Sequence, residues 1–455
     1  MNKIYLSLFL VSLTYAQTVN FDEVLEMTIK NSKELQEQKL NIESSKLDIK
    51  MIDSINYGKL SIEEEISRTN HSGYVFNSKL SSREATFNDF GFTPSAMAQA
   101  MAGQNVIPDN LNYPDARTNF NTKLNYDIPL FTGFKLSNQK DILKLQEKAN
   151  ELKYNLDKKV LGFEVLKAYN SAVLARDFVK ALEKAKLAIS KIVESANSFH
   201  KEGLVTKIDV NEAKVYESNI NSQLIEAKNN FLLSLEFLKF LTSNEEINDI
   251  QNLENLYFNF PNEKELYQKA LDNADEIKMQ NIEITANKKN IEIANSAYYP
   301  NIYSHLEYGY NDDKFSLDRD KDYYIALVGL SLTLFDNTRD IEKQKSKIQY
   351  AKSNLNAEKL KDAIKLELKK AILNLETKEA ILKEKIEAKN LANEVLEQTK
   401  LQYQNRLISM TSLLLQEANF RKNEALLLQA RYEKSLALAK INLILGQNIK
   451  EENKQ

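Results

Sequence analysis

The residues that most often do chemistry are scarce in this chain. Cysteine is absent from its 455 residues, and the three histidines, His71, His200 and His305, stand far apart with no metal-ligand partner at helical spacing. Each histidine reads as a surface residue. Glu63 and Glu65 come nearest to an acid–base pair, but they open a charge-rich alternating segment and read as a solvated edge. No catalytic residue, metal or cofactor is expected. The 61 basic residues against 64 acidic ones, net charge −3, provide no basic field for nucleic acid. The charges read as solvated helix faces, so function must lie in architecture.

The architecture begins with an export signal: Lys3, an apolar run over residues 4–13, and the small residues Thr14 and Ala16 around Tyr15, with cleavage expected after Ala16. Residue 17 is Gln, which excludes an N-terminal lipid anchor of the cysteine type. No later stretch approaches 18 consecutive apolar residues, so any membrane crossing must be made by strands. Only 10 Gly and 6 Pro occur, and most of them cluster between residues 70 and 116 or beside short alternating segments. Gly162 alone lies inside a helical pattern. Pro261 starts one pattern, Gly203 interrupts one, and Gly446 ends one. Residues 135–199 and 339–404 are left as uninterrupted helices of roughly 65 residues, about 100 Å each at 1.5 Å per residue. In the first, Phe178, Leu182, Ala185, Ile189, Ile192, Ala196 and Phe199 follow the alternating four- and three-residue steps of coiled packing.

The chain is also duplicated. At an offset of 242, Asn31, Ser32, Glu34 and Leu35 meet Asn273, Ala274, Glu276 and Ile277, and Tyr57 and Gly58 meet Tyr299 and Pro300. At an offset of 204, Leu130 and Phe131 meet Leu334 and Phe335; the change places 38 extra residues between the two strands of the first repeat. At an offset of 203, Gly203, Leu204, Val205, Thr206 and Val210 meet Arg406, Leu407, Ile408, Ser409 and Leu413. Each repeat therefore reads helix, strand, loop, strand, long helix, turn, helix. In the strands, Phe120, Leu124, Tyr126, Ile128 and Leu130 share one face, opposite Asn119, Asn121, Lys123, Asn125 and Asp127. Tyr324, Val328, Leu330, Leu332 and Leu334 form a second apolar face, opposite Ser331 and Thr333. Ile302, Leu306, Tyr308 and Tyr310 form a third, and Leu60, Ile62 and Ile66 a weaker fourth interrupted by Glu64. Alternation of this length, with tyrosines toward the ends, fits an outer-membrane barrel as well as a half-buried soluble sheet. The export signal and the long helices favour the barrel. Four strands cannot close one, since about eight are needed, so the barrel must be shared among subunits. A dimer, trimer or tetramer would fit, and an open lumen favours twelve strands or more.

At this point the chain resembles the TolC-like outer-membrane efflux protein family over essentially its whole exported length. The resemblance rests on the duplication, on Asn31 and Asn273, on the Pro129-to-Gly133 strand exit, and on the turn Gly203-Leu204-Val205 followed by Asp209-Val210. It implies a mainly α protein with β: a long-helix coiled periplasmic tunnel, and four membrane strands per protomer in a trimeric twelve-stranded barrel. The implied organisation is a signal peptide (1–16), a first repeat (17–244) with a long extracellular loop, an equatorial linker (245–260), a second repeat (261–446) and a tail (447–455). The implied function is passive export through the outer membrane within a tripartite efflux or type I secretion system. Its implied partners are further copies of the chain, a periplasmic adaptor, an inner-membrane resistance-nodulation-division or ATP-driven transporter, and outer-membrane lipid.

The adaptor is expected at the two turns, Gly203, Leu204, Val205, Thr206 and Lys207 with Arg406, Leu407, Ile408, Ser409 and Met410. A periplasmic gate is expected from Asp209, Tyr403, Arg406, Ser412, Leu413 and Leu415. Arg406 is the candidate partner of Asp209 or Glu202 in a lock. Two departures from the family pattern bear on this gate: Ser412 and Leu415 stand where aspartates are common, which argues against an acidic ring, and Arg406 replaces a glycine. A secreted coiled-coil adhesin is the rival reading, and it leaves the duplicated strands unexplained.

Overall fold

The computed structural model describes residues 17–252 and 262–447. The expected signal sequence, residues 253–260 of the expected linker, and the tail from residue 448 lie outside the described residues. In chain order the elements are β1 (Gln17–Val19), α1 (Phe21–Asn31), α2 (Lys33–Ile55), β2 (Lys59–Thr69), α3 (Ser72–Ser81), α4 (Pro94–Met101), α5 (Asp109–Asn112), β3 (Arg117–Thr132), α6 (Lys135–Lys201), α7 (Lys207–Thr242) and β4 (Ile247–Ile250). The second half follows with α8 (Glu263–Asn273), α9 (Asp275–Asn295), β5 (Asn301–Asp312), β6 (Asp322–Ser331), α10 (Asn337–Gln404) and α11 (Met410–Ile444). The duplication is visible in backbone detail. α1 and α2 are divided by one residue, Ser32 at φ −57°, ψ 120°, and α8 and α9 by its counterpart Ala274 at φ −59°, ψ 120°.

The chain divides into two compact units. The first, Met1–Ile42, Lys148–Asn281 and Asn354–Gln455, is among its described residues helical apart from one short parallel ladder, β1 with β4. That ladder anchors a core of Val19, Phe21, Val24, Leu166, Tyr169, Leu238, Ile247 and Ile250, all almost wholly buried. Each such side chain contributes on the order of 1.5–3 kcal/mol by leaving water. The Tyr169 hydroxyl lies 3.1 Å from the Val19 carbonyl and 3.0 Å from that of Gln251, and the Arg176 guanidinium, also buried, donates to the Ile250 carbonyl and the Asn252 side chain. These two helix residues tie α6 to the end of the ladder, where the Val19 carbonyl also accepts from the Gln251 amide at 2.9 Å. A second cluster joins α8, α9, α10 and α11 through Leu266, Leu368, Leu375 and Ile441, and a third forms around the helix reversals.

The second unit, Glu43–Glu147 and Ile282–Ser353, carries an antiparallel sheet in the order β2-β3-β5-β6. Its register pairs Leu60 with Tyr126, Ile62 with Leu124, Leu124 with Tyr308, and Tyr308 with Tyr324. The expected apolar positions of β3 from Phe120 to Ile128 therefore share one face with those of its neighbours, whereas a bulge between Pro129 and Phe131 sets Phe131 rather than Leu130 opposite Ile302; Leu60, Ile62, Ile66, Tyr324, Val328 and Leu330 on this face are each more than 60% exposed. The sheet departs from expectation at β6, which ends at Ser331, so Leu332 and Leu334 lie beyond it. Opposite its apolar face stand Tyr323, Ile325 and Leu327 as well as Ser331, which leaves this strand apolar on both sides. Gly309 and Gly329 sit opposite Tyr323 and Tyr303, and a Cβ on either would lie 2.8 or 2.4 Å from the facing ring; the tyrosines cover the bare backbone. The 38-residue excess of the first repeat is folded into α3, α4 and α5, which the sequence reading treats as loop. Among the described residues no helix is long and apolar enough to cross a membrane.

Candidate functional site

The residues expected to dock and to gate lie in the two helix reversals and the turns that follow them. Both reversals close in the same way. After α6 the Leu204 amide donates to the Phe199 carbonyl at 2.8 Å and the Gly203 amide to the His200 carbonyl at 2.9 Å. After α10 the Leu407 amide donates to Gln402 and the Arg406 amide to Tyr403, each at 2.9 Å. This paired pattern requires a left-handed residue just past the helix end, filled by Gly203 at φ 71° and by Arg406 at φ 65°. Gly203 adopts that conformation freely, whereas Arg406 bears its steric penalty. Val205 and Ile408 are half-buried, and Leu407 is 73% exposed.

The helices that leave the reversals start differently. Thr206 and Asp209 cap α7 reciprocally: the Asp209 amide donates to Thr206 Oγ1 at 3.2 Å, and the Thr206 amide and hydroxyl donate to Asp209 Oδ2 at 2.8 and 2.6 Å. Ser409 caps α11 through the Ser412 amide at 3.2 Å, with no carboxylate to return the bond. Met410 and Leu413 are buried with Val210, Ala213, Leu396 and Tyr403 in the third cluster, while Leu415 is 60% exposed. Tyr403 packs against Phe199 at 6.3 Å; burial, and then the nearby Asp209 carboxylate, push its phenol above the usual value. Among the described residues its hydroxyl has no hydrogen-bond partner.

The expected set is thus partly brought together. Asp209, Tyr403 and Leu413 gather at one junction, Ser412 serves as a helix start, and Leu415 faces outward. Asp209 is engaged by its own cap, and among the described residues Arg406 forms no ion pair with it or with Glu202. Beside the junction, α7 and α11 border a cavity of about 440 Å³ lined by Ile208, Val215, Tyr216 and Leu414, where Thr411 Oγ1 donates to Glu212 at 2.9 Å. The sequence reading does not single out Glu417. It is 1% exposed and held by Arg421 at 2.8 Å, and its partner four residues along the helix is the only trace the sequence offers.

The histidines are scattered as expected: His71 stacks edge-on against Tyr74, His200 Nδ1 lies 3.0 Å from the Val205 carbonyl, and His305 sits between Asp127 at 2.7 Å and Glu307 at 3.4 Å. One carboxylate group, Glu84, Asp312 and Asp313, has the spacing of a cation site. The Lys321 ammonium already occupies it, bonded to Asp312 at 2.6 Å and to Glu84. Although burial pushes Glu84 up, hydrogen bonds from Lys321 and Arg117 hold it below the usual carboxylate range.

Two long duplicated helical hairpins, each joined to a strand pair that exposes an apolar face, define a class of outer-membrane channel subunit. Residues 24–244 and 266–447 match the family described as outer membrane efflux protein, and the chain belongs to that family. Among solved structures the fold is similar to the CmeC outer membrane channel of Campylobacter jejuni, at TM-score 0.74 and 15% identity over 95% of this chain and 87% of that one. It is similar to the outer membrane protein VceC of Vibrio cholerae, at 0.71 and 14% over 94% and 97%, and to CusC, at 0.75 and 14% over 94% and 92%. No curated protein matches the sequence significantly. By family the protein is an outer-membrane efflux channel of the tripartite type, located in the outer membrane and extending into the periplasm. Nothing in these likenesses supports the adhesin reading.

Proposed function

We propose that three copies of this chain close a twelve-stranded barrel, through which substrates pass passively from a periplasmic adaptor and an inner-membrane pump of the resistance-nodulation-division or ATP-driven type. One observation carries the reading: a four-stranded antiparallel sheet with an exposed apolar face and two unpaired edges, β2 and β6. Such edges are a liability in any free sheet, and four strands are too few to curl shut. Pairing β6 of one copy with β2 of the next removes every edge and turns the apolar faces toward lipid. Purification from outer membranes should give a particle of three chains that forms steady conducting channels in planar bilayers. A monomeric, non-conducting protein in the same detergent would overturn the reading.

In the same reading the reversals at residues 203–207 and 406–410 meet the adaptor. Each reversal follows one of the two longest helices along the chain, α6 of 67 residues and α10 of 68, and Leu407 together with the cavity beside Ile208 offers apolar surface to a partner. The gate closes where Asp209, Tyr403 and Arg406 of neighbouring coils come together. Arg406 can take a carboxylate from the next copy, because among the described residues of its own chain it forms no ion pair, and Leu415 adds an apolar contact.

A further inference from the structure

We propose that residues 72–92 form a strap, clamped by ions to the β5–β6 turn of the same protomer, that narrows the outer exit of the channel. The inference rests on the channel reading above.

The segment is folded in its own right. α3 buries Val75 and Ser78, Ser82 is buried just past its end, Phe76 packs edge-on against Phe90 at 4.5 Å, and Phe87 against Phe92 at 6.2 Å. Lys79 bonds Asp89 at 2.6 Å, and Asp89 in turn accepts from the Thr86 amide and hydroxyl at 2.7 and 2.8 Å. The hydrogen bond from Lys79 and then that from the Thr86 amide lower the Asp89 carboxyl to about 2.

Its position follows from the sheet register. Arg117 alternates with Asn119, Asn121, Lys123, Asn125 and Asp127 and so belongs to the polar face. Its guanidinium ends on Ser82 Oγ, at 3.0 Å, and on Glu84, at the far end of α3. On that same face the side-chain oxygens of Asn119 and Asn311 are shut off from solvent and, among the described residues, have no hydrogen-bond partner. α3 therefore crosses the polar face near the β5–β6 end of the sheet, and in a barrel with its apolar face outward that is the lumen side.

The clamp has three cations. Lys321, in the β5–β6 turn, is bonded to both Glu84 and Asp312; Arg117 holds Glu84 from the strand; and Arg83 donates to the carbonyls of Asp320 and Asp322 at 2.7 and 2.6 Å. Arg83 does so at φ 57°, a left-handed conformation that a side chain rarely adopts. A strained residue whose guanidinium spans two strap-to-turn hydrogen bonds is the mark of a contact held for its position rather than for local comfort.

The test uses the intact trimer. Lys321→Gln removes the bridging cation, and Arg83→Gly removes two hydrogen bonds while suiting the backbone, so its effect is not a folding defect. Each should raise the rate of protease cleavage within residues 72–92 on whole cells about fivefold, the factor that about 1 kcal/mol gives to an equilibrium. Each should also raise single-channel conductance. Because the chain lacks cysteine, a bis-maleimide bridge between Glu84→Cys and Lys321→Cys can be placed uniquely in the Arg83→Gly variant, where it replaces the lost ion pair by a covalent link and should suppress both of that variant's changes. Wild-type cleavage and conductance in both variants would sink the clamp. Faster cleavage at unchanged conductance would show a strap that does not narrow the exit, and overturns the proposal equally. A wild-type protein that fails to conduct strikes the channel reading instead.

Discussion

The two helix reversals have the same hydrogen-bonded closure and different residues at its most demanding position. In the first, Gly203 takes the left-handed conformation without strain and the Thr206–Asp209 box fixes the start of α7. In the second, Arg406 takes it against a steric penalty and Ser409 caps α11 without a returning carboxylate. Since both lead into one buried cluster, the first reads as a fixed corner and the second as the one released at lower cost. Duplication has kept the shape in both copies, and in the second the strained position is filled by Arg406, which forms no ion pair among the described residues.

The comparison is broken most severely at Gly203. No atom lies within 4 Å of a Cβ built there, so Gly203→Glu costs only the backbone penalty of roughly 1–2 kcal/mol, yet it puts a charge at the expected adaptor contact. Export should be lost while trimers persist in the membrane; undiminished export would remove the docking role. A smaller effect is expected at Arg406. Arg406→Ser should raise single-channel conductance if the arginine locks neighbouring coils. Asp209→Ala should do the same, with little added in the double variant. Wild-type conductance in both single variants would leave closure to apolar contact through Leu415. Smallest is the change that makes the reversals alike: Ser412→Asp supplies the missing half of the second capping box and should stabilise the helical unit by a few tenths to about 1 kcal/mol. A raised thermal midpoint without altered conductance checks it; a lowered midpoint refutes the comparison.

Much of the frame was legible because it is local. Helix breakers mark where the long helices stop to within a few residues, and period-two alternation assigns Leu60, Leu124, Leu306 and Val328 to one face without knowledge of partners. Features that depend on distant pairing were not. β1 is three residues long and finds β4 more than two hundred residues away, while Tyr169 and Arg176, which bond to the end of that ladder, sit in a helix whose pattern shows only a coil. The polarity of β6 is hidden in the sequence because Ser331 and Thr333, at and beyond its end, are polar while Tyr323, Ile325 and Leu327 on the same side are not. The extra residues of the first repeat read as loop because their Gly and Pro hide helices of 10, 8 and 4 residues. At the candidate site, the sequence places Asp209 near Tyr403 but gives no sign that its carboxylate is already engaged by Thr206.

The ladder between β1 and β4 also sets a timetable. Val19, wholly buried, is paired with Ile250, so one of the first residues of the described chain is sealed in place only after the entire first repeat has emerged. Contacts of such long sequence separation form late, because a long loop must close before they repay its entropy. A chain threaded across a membrane from its N-terminus would therefore leave β1 unpaired until β4 arrives, with the long coils free to form first.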